Sequence, residues 1–426
     1  MENSLTRREF VHKTALGAAA VTASVVGAPS IGVAGANGRI NIGIIGLGVI
    51  GNAHRKELLK IKGEDNCSLV AVCDIYTSRM SEYAEAVREG FGEAPRQYHD
   101  YREMLANPDI DKIIIATPEH WHEKMLIAAV KARKHVYCEK PMTHNSVEAL
   151  RVLKAIENSD SIVQIGVQGM SDNSYQAAQD VIKQGMLGQV VQAQIDYVRR
   201  YSEERGLFRQ PETEPDAPKP EDLDWEAFLG PAWKRPWDPR RYHHWRNYWD
   251  YSGGIATDLF VHRITRIIKA CDLKEPVRGV GMGGIWKWDD GRDIPDNFEM
   301  VLEYPGGPTV YCLGTMANNF GVDHCIRGYK ATLVFDEDGF KVYKQHKKSE
   351  NSYSDVIYEH KKIGGEDQDL HHKNHHTAMR AGDPSLLNCP PELGYYGVVA
   401  VDLANESYKR KRYMKWSKQL GRVVPA

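Results

Sequence analysis

The chain has 426 residues, 42% apolar and 26% charged, with 37 glycines and 20 prolines. That composition excludes intrinsic disorder, a collagen-like repeat and a small disulfide-built scaffold, and the length allows two or three domains with sizeable cores. With a net charge of −2 and a pI near 6.8, no global field draws the protein to nucleic acid or an anionic membrane, so a small molecule is the expected partner.

Residues 1–36 read as an address. Thr6-Arg7-Arg8-Glu9-Phe10 sets two arginines before a mild alanine-rich run from Ala15 to Ala28, and Ala34-Gly35-Ala36 offers small residues for cleavage. The run is too short and too weakly apolar to span a bilayer, which takes about 20 apolar residues. The pattern resembles a twin-arginine export signal and predicts a soluble mature protein delivered, already folded, to the periplasm. The seven cysteines show no CxxC spacing, which speaks against a disulfide framework and a zinc site.

Short apolar runs follow at Ile40–Ile45, Ser68–Cys73, Lys112–Ala116, His135–Cys138 and Ile162–Val167. Helical patterns separate them, notably His122–Lys131 and Asn145–Asn158, so residues 37–167 predict a doubly wound parallel sheet covered on both faces. The first run leads directly into Gly46-Leu47-Gly48-Val49-Ile50-Gly51, which opens a helix, and Asp74 follows 23 residues after Gly51. Gly46 permits the tight turn, Gly48 lets backbone approach a pyrophosphate, and Gly51 lets helix and strand pack closely. Val49 and Ile50 start the helix, whose free N–H groups suit phosphate. Asp74 can accept from both ribose hydroxyls and repels a 2′-phosphate, favouring NAD over NADP, a preference that nearby Arg79 can soften.

Three further blocks carry chemistry. Ala116-Thr117-Pro118-Glu119-His120-Trp121-His122 lies at a strand end. Glu139-Lys140-Pro141 ends another strand, where a lysine can donate to a hydroxyl and favour a developing alkoxide, although read alone Lys140 is as readily a surface lysine. Gly253-Gly254-Ile255-Ala256-Thr257-Asp258-Leu259-Phe260-Val261-His262 predicts a helix with Asp258 and His262 on one face. Gln164 and Gln168 flank the last of the early strands, within reach either of a ligand or of packing partners.

Residues 168–426 change character. A helix near Ala177–Gln184 precedes strand-like runs at Val190–Arg199, Val277–Gly281, Phe298–Tyr304, Thr309–Leu313, Ala331–Phe335 and Gly339–Tyr343, spaced as hairpins of a mostly antiparallel sheet. Residues 211–222, rich in proline, read as an exposed loop. Residues 225–251 hold nine aromatics; Tyr242, His243, Trp245 and Arg246 are candidates to line a sugar pocket, and the rings read equally as core or subunit packing. His371-His372-Lys373-Asn374-His375-His376 lacks the carboxylate or cysteine pattern of a defined metal site, so no metal is expected, and His371 or His375 is placed toward the active-site mouth.

The glycine fingerprint, the Thr117-Pro118 segment, Glu139-Lys140-Pro141 and the Gly253–His262 block resemble, in order, the motifs of the Gfo/Idh/MocA oxidoreductases, a family of two-domain sugar and polyol dehydrogenases. The likeness runs from about Ile40 to Trp416. It implies a Rossmann-type domain joined to a C-terminal α+β domain with an open sheet, and a homo-oligomer, dimer or tetramer, formed through that sheet. It places Thr117, Pro118, His120, His122, Glu139, Lys140 and Gln168 around the cofactor and makes Lys140, Asp258 and His262 the catalytic set. His262 becomes the general base, with an unperturbed pKa near 6.5. The activity so implied is NAD-dependent oxidation of a ring hydroxyl of a sugar or glycoside, at carbon 3. The alternative is a glycosidase that oxidises, eliminates, adds water and reduces again.

Overall fold

The computed structural model describes residues 38–201, 214, 216–345 and 355–426; the leader and the first part of the proline-rich loop lie outside the described residues. Six strands, β1 (Ile40–Ile45), β2 (Cys67–Cys73), β3 (Arg96–Tyr98), β4 (Lys112–Ile115), β5 (His135–Glu139) and β6 (Val163–Gly166), form one parallel sheet in the order β3-β2-β1-β4-β5-β6. β4 and β5 are buried at every residue, which explains their unbroken apolar runs. The chain winds outward from β1 in one direction and then from β4 in the other. A crevice therefore opens beyond the carboxyl ends of β1 and β4, where such sheets bind ligands.

The helix Val49–Ile61 covers one face of this sheet, and the late helix Gln368–Ala381 returns to lie beside it. Ala378, Met379 and Leu387 join Ile40, Ile42, Ile44 and Leu58 in one hydrophobic cluster.

The second sheet has eleven strands. At its centre β7 (Val190–Arg200) pairs in parallel with β10 (Thr309–Thr315), which runs antiparallel to β9 (Asn297–Glu303); β8 (Arg278–Gly284) follows, and the other pairings are antiparallel as well. Burial alternates residue by residue along β9 and β10, so one face is covered and the other open. The 20-residue helix Pro391–Arg410 packs on β8 and β9 and also touches β6. It carries a single hydrophobic cluster from the first sheet into the second. Among the described residues no helix is long and apolar enough to cross a membrane.

Candidate functional site

The glycine turn is built for close approach. Gly46 has φ +90°, and a Cβ there would meet the backbone of Ala116 and Thr117 at 2.8–2.9 Å. A Cβ on Gly51 would lie 2.2 Å from the Gly46 carbonyl oxygen, whereas one on Gly48 would meet nothing within 4 Å. The helix that follows has no side-chain cap, so the N–H groups of Val49, Ile50 and Gly51 are left for a ligand beside that open space. Asp74, at the end of β2, accepts from the Leu47 N–H (2.8 Å) and the Tyr76 N–H (3.0 Å), with an Arg79 nitrogen 4.0 Å away. Burial raises its carboxyl, and Arg79 and these N–H groups offset part of that rise. An uncapped helix start, a space that a Cβ would fill and an acid at the ribose position fit NAD.

Beyond β4, Thr117 and Pro118 form the strand end, and Glu119 reaches into the second half of the protein. One oxygen of the buried Glu119 carboxyl accepts from the Ser252 hydroxyl (2.7 Å). The other accepts from the Gly253 N–H (3.0 Å) and the Thr257 hydroxyl (2.7 Å). Burial, then the nearby Asp258 carboxylate, push Glu119 up to about 7. Sequence reading missed this residue; its signal was a carboxylate following Thr-Pro at a strand end, with no partner visible in the chain.

The two histidines expected at the cofactor act as tethers instead. His120 lies 2.9 Å from the Phe228 carbonyl, and its ring packs on Phe228 and Tyr251. His122 has Nδ1 2.6 Å from the Pro141 carbonyl and Nε2 2.9 Å from the Thr117 carbonyl; burial favours the neutral ring, whose one N–H donates to one of these two strand-end carbonyls. Gln164 is also structural: it donates to the His371 carbonyl at 2.7 Å. Gln168 opens a short 3-10 turn after β6 and stays half-exposed.

The three residues expected to form the catalytic set converge. Lys140 follows Glu139 at the end of β5, and the Lys140–Pro141 peptide is cis. Its ammonium donates to Asp258 Oδ1 (2.8 Å) and to the Asp258 carbonyl (2.7 Å). Arg246 donates to the same Oδ1 at 3.2 Å, with its guanidinium 4.1 Å from the Trp245 ring centre. The segment expected as an α-helix is a π-helix at Ile255–Phe260 that becomes α-helical from Val261. This wider turn, a form frequent at functional sites, is where the Asp258 carbonyl accepts from Lys140. Burial would raise the Asp258 carboxyl, but Lys140 and Arg246 outweigh it and hold the group well below the usual carboxylate range. His262 lies in the next turn, half-buried, with no hydrogen bond among the described residues. Its expected unperturbed pKa is corrected: burial, then Lys140 and Arg266, push it well below 6.5, and the ring is neutral at physiological pH.

The aromatic segment divides. Arg246 reaches Asp258, and Trp245 lies under the Arg246 guanidinium. Tyr242 does not join them; it is buried in a separate cluster with Trp225, Phe228, Tyr248 and Tyr251, and Arg79 lies 5.8 Å over its ring. His243 is exposed and packs on Tyr242. The late histidines also differ from expectation: His371 and His375 are fully buried and lie 3.0–3.1 Å from the carbonyls of Ile165 and Ile162 rather than at a pocket mouth. Asp65, Cys67 and His376 bring donor atoms within 4.8 Å of one another. Both nitrogens of His376 are already engaged, however, by Asp65 and by Lys112.

Comparison with known proteins agrees with this geometry. A family model described as oxidoreductase family, NAD-binding Rossmann fold, matches residues 40–167, and the same family's C-terminal alpha/beta domain matches residues 171–278. Myo-inositol 2-dehydrogenase of Thermotoga maritima is 30% identical over 149 residues, 35% of this chain and 42% of that protein. Inositol 2-dehydrogenase of Salmonella paratyphi B is 32% identical over 152 residues, 35% of this chain and 43% of that protein. The chain thus spans less than half the length of these relatives. A levoglucosan dehydrogenase solved with NADH and levoglucosan shares the fold at TM-score 0.64 and 18% identity, covering 88% of this chain and 99% of that one. The two family models together match more than half of the chain, which belongs to the Gfo/Idh/MocA oxidoreductase family.

Proposed function

We propose that the protein is an NAD-dependent dehydrogenase that oxidises a ring hydroxyl of a sugar, glycoside or cyclic polyol. The observation that carries this reading is the Lys140–Asp258–Arg246 cluster at the strand ends, one turn from His262, whose ring packs on Tyr197 and has no hydrogen bond among the described residues. The named relatives act on inositol and levoglucosan, and their being dehydrogenases leaves the transient-oxidation glycosidase without support.

NAD held by the glycine turn and Asp74 would supply the hydride acceptor. The protein's own side chains handle the proton and the charge. Lys140, its position fixed by two hydrogen bonds to Asp258, donates to the substrate oxygen and stabilises negative charge there as the C–H bond weakens. Neutral His262 takes the hydroxyl proton. Arg246 shares the Asp258 carboxylate and leaves that carboxylate too well paired to compete as a base. Oxidation at carbon 3 of a pyranoside is the specific form of the proposal.

The test is purified protein with NAD and a panel of levoglucosan, myo-inositol and aryl glucosides, with NADH formation and aglycone release followed together. Lasting NADH with the glycoside intact supports the dehydrogenase, and aglycone release without net NADH overturns it. The twin-arginine leader and periplasmic address belong to the same proposal; replacing Arg7 and Arg8 by lysine should abolish export. So does a homo-oligomer formed through the open sheet face; light scattering showing a stable monomer would remove it.

A further inference from the structure

Beneath the crevice runs an unbroken line of buried polar contacts that none of the foregoing chemistry uses. Glu139 Oε1 lies 3.0 Å from His54 Nε2, and His54 Nδ1 lies 3.0 Å from His372 Nε2. His372 Nδ1 is 3.1 Å from Lys112 Nζ, which is 2.9 Å from His376 Nε2. His376 Nδ1 then bonds to Asp65, which Arg380 pairs with at 2.9 Å near the surface. His54, Lys112, His372 and His376 are all fully buried.

We propose that this line is a proton relay between the cofactor crevice and solvent: the hydroxyl proton taken by His262 passes through crevice water to Glu139 at the end of β5, and the line carries it off. Its source rests on the dehydrogenase reading; its conduction does not. A proton arriving on Glu139 passes to His54 Nε2 while His54 gives its Nδ1 proton to His372 Nε2. His372 gives its Nδ1 proton to the Lys112 amine, making an ammonium. Lys112 then protonates His376 Nε2, His376 releases its Nδ1 proton to Asp65, and water takes it from there. One proton enters, one leaves and both carboxylates are restored; the three rings end with the proton on Nε2, and each turns over to return it to Nδ1 before the next passage.

The surroundings suit this. Burial pushes Lys112 down to about 7, so it changes charge near neutrality, while burial and Lys112 keep His372 and His376 neutral. Tyr137 packs its ring on His372 (4.5 Å) and stays un-ionised, as does the buried Cys67 thiol near Lys112. His122 and Lys140 face Glu139, and with His54 they outweigh its burial and keep it ionised. His371 and His375 face the line from the same helix as His372, but their hydrogen bonds run to β6 and the residue before it.

The first test needs no substrate: a pH titration of the full chain by NMR of its nitrogen-15-labelled histidine rings. The relay predicts that His372 and His376, the two rings bonded to Lys112, shift together with one midpoint near 7, and that Lys112→Met abolishes that shared midpoint. Rings that do not respond between pH 5.5 and 9, or that respond unchanged in Lys112→Met, would overturn it (a window of roughly one to two units either side of neutrality). Lys112→Met leaves His372 Nδ1 and His376 Nε2 without their shared partner, so thermal unfolding is measured on the variant and Lys112→Gln, which keeps a donor but cannot titrate, is run beside it with the same expected loss of the midpoint. The second test is turnover of whichever polyol the panel yields. Lys112→Met should lower kcat by about tenfold, keep KM for NAD and regain rate with added imidazole buffer. Wild-type kcat and pH profile in that variant would sink the relay and leave the dehydrogenase standing, whereas failure of every polyol would sink the dehydrogenase and leave the NMR result to decide the relay.

Discussion

Lys140 grips Asp258 at two points, its carboxylate and its own main-chain carbonyl, at 2.8 and 2.7 Å. The grip locks the lysine direction and also sets the charge felt by His262. Lys140→Met should keep NAD affinity within a few-fold and lower kcat by about 10² or more. Because Lys140 helps to push His262 well below 6.5, the acid limb of kcat/KM should lie well below pH 6.5 in the native enzyme and move upward in Lys140→Met. A pH profile of both proteins checks this.

The glycine turn separates binding from stability. Gly48→Val adds atoms where nothing lies within 4 Å, so the fold should keep its stability while NAD binding is lost. Gly51→Val drives a side chain into the Gly46 carbonyl at 2.2 Å and should cost about 2 kcal/mol or more. Calorimetric NAD binding and thermal unfolding, run on both variants, read the contrast.

Asp74→Asn keeps an acceptor for the Leu47 N–H and removes the charge that repels a 2′-phosphate. NAD affinity should fall about tenfold and the preference over NADP should narrow, with Arg79 4.0 Å away to receive the phosphate. Dissociation constants for both cofactors decide it; an unchanged ratio would show that Asp74 does not set the preference.

Glu119 gives the protein a pH-dependent stability of definite sign. Its folded pKa of about 7 lies above its ordinary 4.5, so the folded state binds more protons between those values and stability falls as pH rises from about 4.5 to about 7, then levels. The limit is on the order of 3 kcal/mol. Glu119→Gln, which keeps the hydrogen bond to Gly253, should flatten that slope, as denaturant unfolding at pH 5 and pH 8 would show.

The parts of this molecule legible in its sequence are those where one period or one short motif decides. Strands such as β4, buried on both sides, announce themselves as isoleucine runs, and Gly46, Gly48 and Gly51 follow from backbone sterics alone. Lys140, Asp258 and Arg246 were each singled out, though their meeting depends on a fold that spacing does not encode. What stayed hidden depends on partners distant in the chain. The Gln368–Ala381 helix buries histidines, which hydropathy counts as polar, because each meets a carbonyl, a lysine or a carboxylate from another element. Glu119 drew no role from its block because its partners, Ser252 and Gly253, lie more than 130 residues away. Every residue of the π-turn Ile255–Phe260 is buried, so the segment has no exposed face from which periodicity could reveal its form.

The late helix has a consequence for the order of synthesis. Met379 and Leu387 finish the hydrophobic cluster that begins at Ile40, so the part of that sheet face beside the helix Val49–Ile61 stays uncovered until the late helix is made. Until then Lys112, whose buried partners are His372 and His376, remains wet.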